Sequence, residues 1–295
     1  MPDLTTVAPK TDNRLRLRDG RILGYAEYGD PDGAPAFFFH GMPGSRLAGA
    51  AGHEAAVRHG VRVISPDRPG YGLSTFQPKR TFLDWPGDVT QLADSLGIAR
   101  FAVVGVSGGG PYVAACALQI AHRLTGAVMV SGVGPFDAPG ATAGMSRENR
   151  MLFAASRRAP ILVRVMMAVT ARGLKRRPDR AIDQMLKSLP KPDQAVLADP
   201  ALRELFKQDA LEAMRPGGRG AAYEANMYAC PWGFRLQDIT MPVTLWQGDA
   251  DVNVPVTMGR YLAQAIPNCD ARIFPGEGHL LIFTHMDELL VLAMQ

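Results

Sequence analysis

The 295 residues are 47% hydrophobic and 20% charged, with a formal net charge of +4. Such a chain is globular, long enough for one large domain with an insertion or for two domains, and neither disordered nor repetitive. Three cysteines (Cys116, Cys230, Cys269) include no C-x-x-C pair and read as reduced thiols of a cytoplasmic protein.

Residues 1–13 lack the apolar core of a signal peptide and are expected to form a loose tail. Residues 14–28 alternate polar and apolar around Asp19-Gly20, predicting an edge hairpin whose arginines discourage further pairing. Short buried strands are predicted at 36–39 and 61–65, each running into a glycine-rich loop. Residues 82–97 carry apolar side chains at helical spacing, closed by Gly97. Strands at 101–106 and 124–131 follow. The pattern specifies a doubly wound α/β sheet with helices on both faces.

The centre of the pattern is Gly105-Val106-Ser107-Gly108-Gly109, a G-x-S-x-G match between a valine-rich strand and a helix starting near Pro111. In that context the turn strains the serine backbone and lifts its hydroxyl above the sheet's carboxyl edge. The first N–H groups of the helix lie beside it, where they can hold negative charge. A phosphate loop would need Lys where Pro111 stands, and a dinucleotide fingerprint would need Gly where Ser107 stands. Alone, the motif also suits an ordinary glycine-rich turn.

Alternation stops at residues 134–240. This stretch has helical spacing, no clear strand, and prolines that divide it into short helices. It carries 17 Lys and Arg against 11 Asp and Glu, so the chain's positive excess is confined to it. Its longest apolar run, 159–171, is too short to span a bilayer and is interrupted by Arg164. Strands at 242–246 and 271–274 and helices at 257–266 and 280–293 complete the chain.

Four separated motifs now point one way: HGMPGS at 40–45, DRPGYGLS at 67–74, GVSGGG at 105–110, and GDADVNVP at 248–255 followed by GEGH at 276–279. Together they resemble the α/β-hydrolase fold with a helical cap. The resemblance covers 14–133 and 241–295 as core, with 134–240 in the cap's place. It implies the order Ser, acid, His: Ser107 as nucleophile, Asp251 as orienting acid with Asp249 as the alternative, and His279 as base. It implies an oxyanion hole from the N–H groups of Met42 and Gly108. His40 is expected to fix the loop that carries Met42, and Asp67 to brace the turn after it. Phe153, Met166 and Trp232 are the expected lining of an apolar substrate pocket in the cap.

The implied function is a serine hydrolase acting on a carboxylic ester, lactone or thioester, without metal or organic cofactor. A C–C bond hydrolase, a cofactor-free perhydrolase or haloperoxidase-like enzyme, and a slow-turnover ligand receptor fit the same residues. Epoxide hydrolases and dehalogenases, which carry aspartate at the nucleophile, do not. The partner is a small acyl substrate, anionic if Arg157, Arg158, Lys175, Arg176 and Arg177 serve to attract it. No nucleic-acid partner is expected, since no basic-aromatic motif accompanies the charge, and no membrane partner. Chemistry is expected from the core loops and substrate choice from the insert.

Overall fold

A computed structural model of the protein describes residues 8–293. Eight strands form one sheet: β1 (Lys10–Arg16), β2 (Ile22–Gly29), β3 (Ala34–Phe39), β4 (Val61–Pro66), β5 (Phe101–Val106), β6 (Leu124–Val130), β7 (Val243–Gly248) and β8 (Cys269–Phe274). Their spatial order is β1-β2-β4-β3-β5-β6-β7-β8. The pairs β1–β2 and β2–β4 are antiparallel, and every pair from β4–β3 through β7–β8 is parallel. Parallel strands bring all their carboxyl ends to one edge, and the loops leaving that edge are where a site can be assembled.

The central strands are apolar throughout because both faces are covered. Along β5, Phe101 and Val103 join one core cluster while Ala102 and Val104 join the other. Helices α1 (His53–Arg58), α2 (Trp85–Ser95) and α3 (Gly110–Gln119) follow β3, β4 and β5. Between β6 and β7 the chain is all helical: α4 (Arg147–Arg158), α5 (Pro160–Arg176), α6 (Pro178–Ser188), α7 (Lys191–Val196), α8 (Pro200–Ala213) and α9 (Arg219–Ala229). The fold closes with α10 (Val256–Ala265), α11 (Leu281–Thr284) and α12 (Met286–Ala293). The single closing helix expected at 280–293 is thus two, divided at His285.

The expected tail at 1–13 needs correction where it is described. Its residues 1–7 lie outside the described residues, but β1 already begins at Lys10. Lys10 pairs with Glu27 of β2, and this first part of the strand is also held by buried Arg46, which donates to the Thr11 carbonyl at 2.5 Å and to Asp12 at 2.7 Å. A partner some 35 positions away leaves no trace in local alternation.

The helical segment is tied to the sheet by a buried ionic cluster. Glu224 of α9 accepts hydrogen bonds from Arg68 Nε and Nη2 (both 2.8 Å), Arg80 Nη2 (2.9 Å), Tyr71 (2.9 Å) and Tyr112 (2.5 Å). Burial would raise its pKa, but the Arg68 and Arg80 charges prevail and hold it well below the ordinary range. Its contribution to stability is therefore present above the ordinary glutamate value and lost as pH falls through the depressed one. Glu224→Gln strands two buried guanidinium groups and is expected to cost about 3–5 kcal/mol, read by urea denaturation at pH 7. A loss below about 1 kcal/mol would mean that the cluster does not anchor the cap.

Candidate active site

Ser107 follows β5 directly, with φ of +55°. The turn is tight enough that a Cβ on Gly105 would lie 2.6 Å from the Gly109 carbonyl, and one on Gly109 would lie 2.3 Å from that of Phe39. Both positions therefore demand glycine, which is why the motif is spaced as it is. The Ser107 carbonyl accepts from Val133 N at 2.9 Å, fixing the turn to the loop after β6.

Two strands away, the turn after β7 presents Asp251. Its Oδ1 accepts from the N–H groups of Asn253 (2.8 Å) and Val254 (2.9 Å), and its Oδ2 from Gln247 Nε2 (3.1 Å). The carboxylate is nearly completely buried and meets Nδ1 of His279 at 2.7 Å. Asp249, the sequence alternative, instead accepts from Gly276 N at 2.7 Å and stands exposed. The structure thus brings Asp251, not Asp249, to the imidazole. Among the described residues no hydrogen bond joins the Ser107 hydroxyl to His279; such bonds are often long in unliganded sites and tighten with substrate.

Burial alone would push the His279 imidazole down, but the Asp251 charge and hydrogen bond, with a further contribution from Asp193, leave it above its ordinary value. The loop carrying the ring is also held from β6: Ser131, itself at φ +49°, donates from Oγ to the His279 carbonyl at 3.2 Å.

The HGMPGS loop lies against the same turn. A Cβ on Gly108 would come within 3.1 Å of Met42 Cβ, so the two expected oxyanion residues face each other. The loop is positioned by Arg68, whose Nη2 donates to the Gly41 carbonyl at 3.0 Å and whose Nη1 donates to that of His40. Nε2 of His40 accepts from Arg68 N at 3.2 Å, so Nδ1 carries the proton it shares with the Gly41 carbonyl at 2.8 Å. Burial, with the Arg68 charge, keeps this imidazole well below its ordinary pKa. It is a neutral brace. Asp67 braces the adjacent turn by accepting from Leu73 N at 2.8 Å and Arg46 N at 2.7 Å.

Two residues of the helical segment that the sequence motifs do not include also reach the site. Tyr228 of α9 donates to the Gly108 carbonyl at 2.8 Å. Asp193 of α7 is buried, and its Oδ1 accepts from Leu280 N at 2.8 Å, next to His279. Its other oxygen has no hydrogen-bond partner among the described residues. The approach is close: a Cβ on Gly278 would lie 2.4 Å from Asp193 Oδ1. No local pattern marks either residue, because each acts across more than 80 positions.

Of the expected pocket residues, Phe153 is buried against Phe136 and Tyr228, and Trp232 against Phe82 and Phe234. Met166 is not brought to them; it lies exposed on the outer side of α5. Its neighbour Met167 packs inward, in the cluster that also contacts Met42. A run apolar on both sides cannot be phased from sequence alone. Arg157, Arg158, Lys175, Arg176 and Arg177 are all exposed. No cluster of three or more His, Cys, Asp or Glu able to hold a metal occurs among the described residues.

Comparison with known proteins agrees with this architecture. A non-heme chloroperoxidase of Streptomyces lividans is 34% identical over 119 residues, 40% of this chain and 43% of that protein, so the match spans less than half of either. A non-heme chloroperoxidase of Kitasatospora aureofaciens is 25% identical over 289 residues, covering 89% of this chain and 90% of that one. The solved enol-lactonase of Burkholderia xenovorans LB400 has a TM-score of 0.70 at 19% identity, covering 96% and 100% of the two chains, a likeness of fold. The family model for the alpha/beta hydrolase fold matches residues 36–286. With that match spanning most of its length, the chain belongs to the alpha/beta hydrolase fold family.

Proposed function

We propose that the protein is a serine hydrolase that cleaves a carboxylic ester, lactone or thioester through an acyl-enzyme. The observation that carries this reading is the His279–Asp251 pair, 2.7 Å apart, at the sheet edge where Ser107 sits in its positive-φ turn. A serine hydroxyl needs a base oriented by a third group, and this arrangement supplies both. Ser107 Oγ attacks the acyl carbon while His279 Nε2 takes its proton. The carbonyl oxygen becomes an oxyanion, held by the N–H groups of Met42 and Gly108. Collapse expels the alcohol or thiol, which recovers the proton from Nε2. Water then attacks by the same route, releasing the acid and restoring Ser107.

The chloroperoxidase relative that spans most of the chain favours one second reading. If hydrogen peroxide replaces water at the second step, the acyl-enzyme yields a peracid and free Ser107. Both readings share the first half-reaction. They are separated by a panel of aryl esters, lactones and thioesters assayed with and without peroxide. Acid release without peroxide supports the hydrolase; peracid as the dominant product supports the second reading. Absence of turnover across the panel by folded protein would remove both.

Within this reading Asp193 is a positioning residue that acts through His279. The neutral imidazole is the active form, so kcat/KM should rise with pH through a limb above the ordinary imidazole value of about 6.5. Asp193→Asn removes a negative charge near the ring and should move that limb to lower pH. An unmoved limb, with only a change in stability, would make Asp193 purely structural.

A further inference from the structure

We propose that the α4–α5 hairpin is a docking face for an anionic lipid surface. Helix α5 is apolar on two sides. Val163, Ala171 and Leu174 are buried on its inner side, which packs toward α9. On its outer side Ile161, Leu162, Val165, Met166 and Val169 are 42–79% exposed, and Met151 on the preceding helix α4 is 61% exposed. Spacings of one, four, five and eight residues put the α5 members on one arc, a strip about 12 Å long. These six are all but one of the large exposed hydrophobics among the described residues. Singly scattered apolar side chains need no partner, but a strip of this kind does.

Charge decides the occupant. Residues 147–177 hold nine Lys and Arg against the single Glu148, a balance of +8. All nine basic side chains are exposed, and none takes part in an ion pair among the described residues. The buried Arg46, Arg68 and Arg80, by contrast, are each matched to a carboxylate. A second copy of the chain docked through this face would set +8 against +8. A nucleic acid would pair the arginines yet leave the aliphatic strip in water. An anionic bilayer satisfies both, with the strip at the acyl boundary and the guanidinium groups among the head groups. Among the described residues no helix is long and apolar enough to cross a membrane, so the hairpin lies in the interface. The sequence-based expectation of no membrane partner rested on span length, which does not bear on this mode of binding.

The test is flotation of the full chain with vesicles of phosphatidylcholine alone or with added phosphatidylglycerol, at low and high salt. The expected result is binding to the phosphatidylglycerol vesicles only, weakened by salt. Each neutralised charge should weaken it roughly fivefold, so Arg172→Gln with Arg176→Gln should lose about 25-fold. Leu162→Asp and Val165→Asp should abolish binding while leaving the melting temperature nearly unchanged, because both side chains already face solvent. No flotation of the wild-type chain, or equal flotation on both vesicles, overturns the proposal. So does a dimer that Val165→Asp dissociates in a chain that does not float. The salt dependence of the wild type remains decisive even if a variant fails to fold.

Discussion

Replacing Ser107 with alanine is expected to remove roughly 10⁶-fold of ester turnover, the loss typical when a nucleophile goes and only oxyanion and binding contributions remain. The fold should survive, because alanine fills no new space and tolerates the turn about as well as serine does. Ser107→Gly offers a sharper comparison. It should be equally inactive yet more stable than wild type by about 1 kcal/mol, since only glycine adopts φ of +55° without strain. Activity and stability measured on the same preparations check both halves. A Ser107→Ala protein with near-normal turnover would exclude this serine as the nucleophile.

Asp251→Asn is expected to lower kcat by about 10⁴-fold. The amide can still accept from Asn253 and Val254, but its NH₂ would face Nδ1 of His279 and select the wrong tautomer. Asp249→Asn should leave kcat within a fewfold, because that carboxylate meets only the Gly276 N–H in an exposed turn. Steady-state kinetics on one aryl ester separate the two. The reverse ranking would transfer the orienting role to Asp249.

Much of this architecture was legible in the chain. The valine-rich strand before Ser107, the glycines around it and the alternation on either side are local signals, and local packing constraints enforce them. A Cβ at Gly105 or Gly109 meets backbone, so the sequence has no freedom there. Spacing favoured Asp251 over Asp249 without deciding between them, because both follow the same strand. What separates them in space is the direction of the turn, which places Asp251 under the His279 loop.

The cap was less readable, for two physical reasons. Helix α5 is apolar on both sides, so sequence does not fix its phase, and Met166, expected to line the pocket, faces outward while Met167 packs inward. Contacts across long stretches of chain carry no periodicity. Asp193 to Leu280, Tyr228 to Gly108 and Glu224 to Arg68 each join the helical segment to a loop at the sheet's carboxyl edge. The expected division, chemistry in the core and substrate choice in the insert, therefore has a seam that the insert's own residues cross.

Activation of Ser107 by the His279–Asp251 pair is tested most directly by covalent labelling with a small fluorophosphonate. Intact mass and peptide mapping of the folded chain should show one adduct, on Ser107. Labelling should be absent in Ser107→Ala and slowed by orders of magnitude in His279→Ala. An unlabelled wild-type protein, an adduct on another residue, or undiminished labelling of His279→Ala would contradict the account.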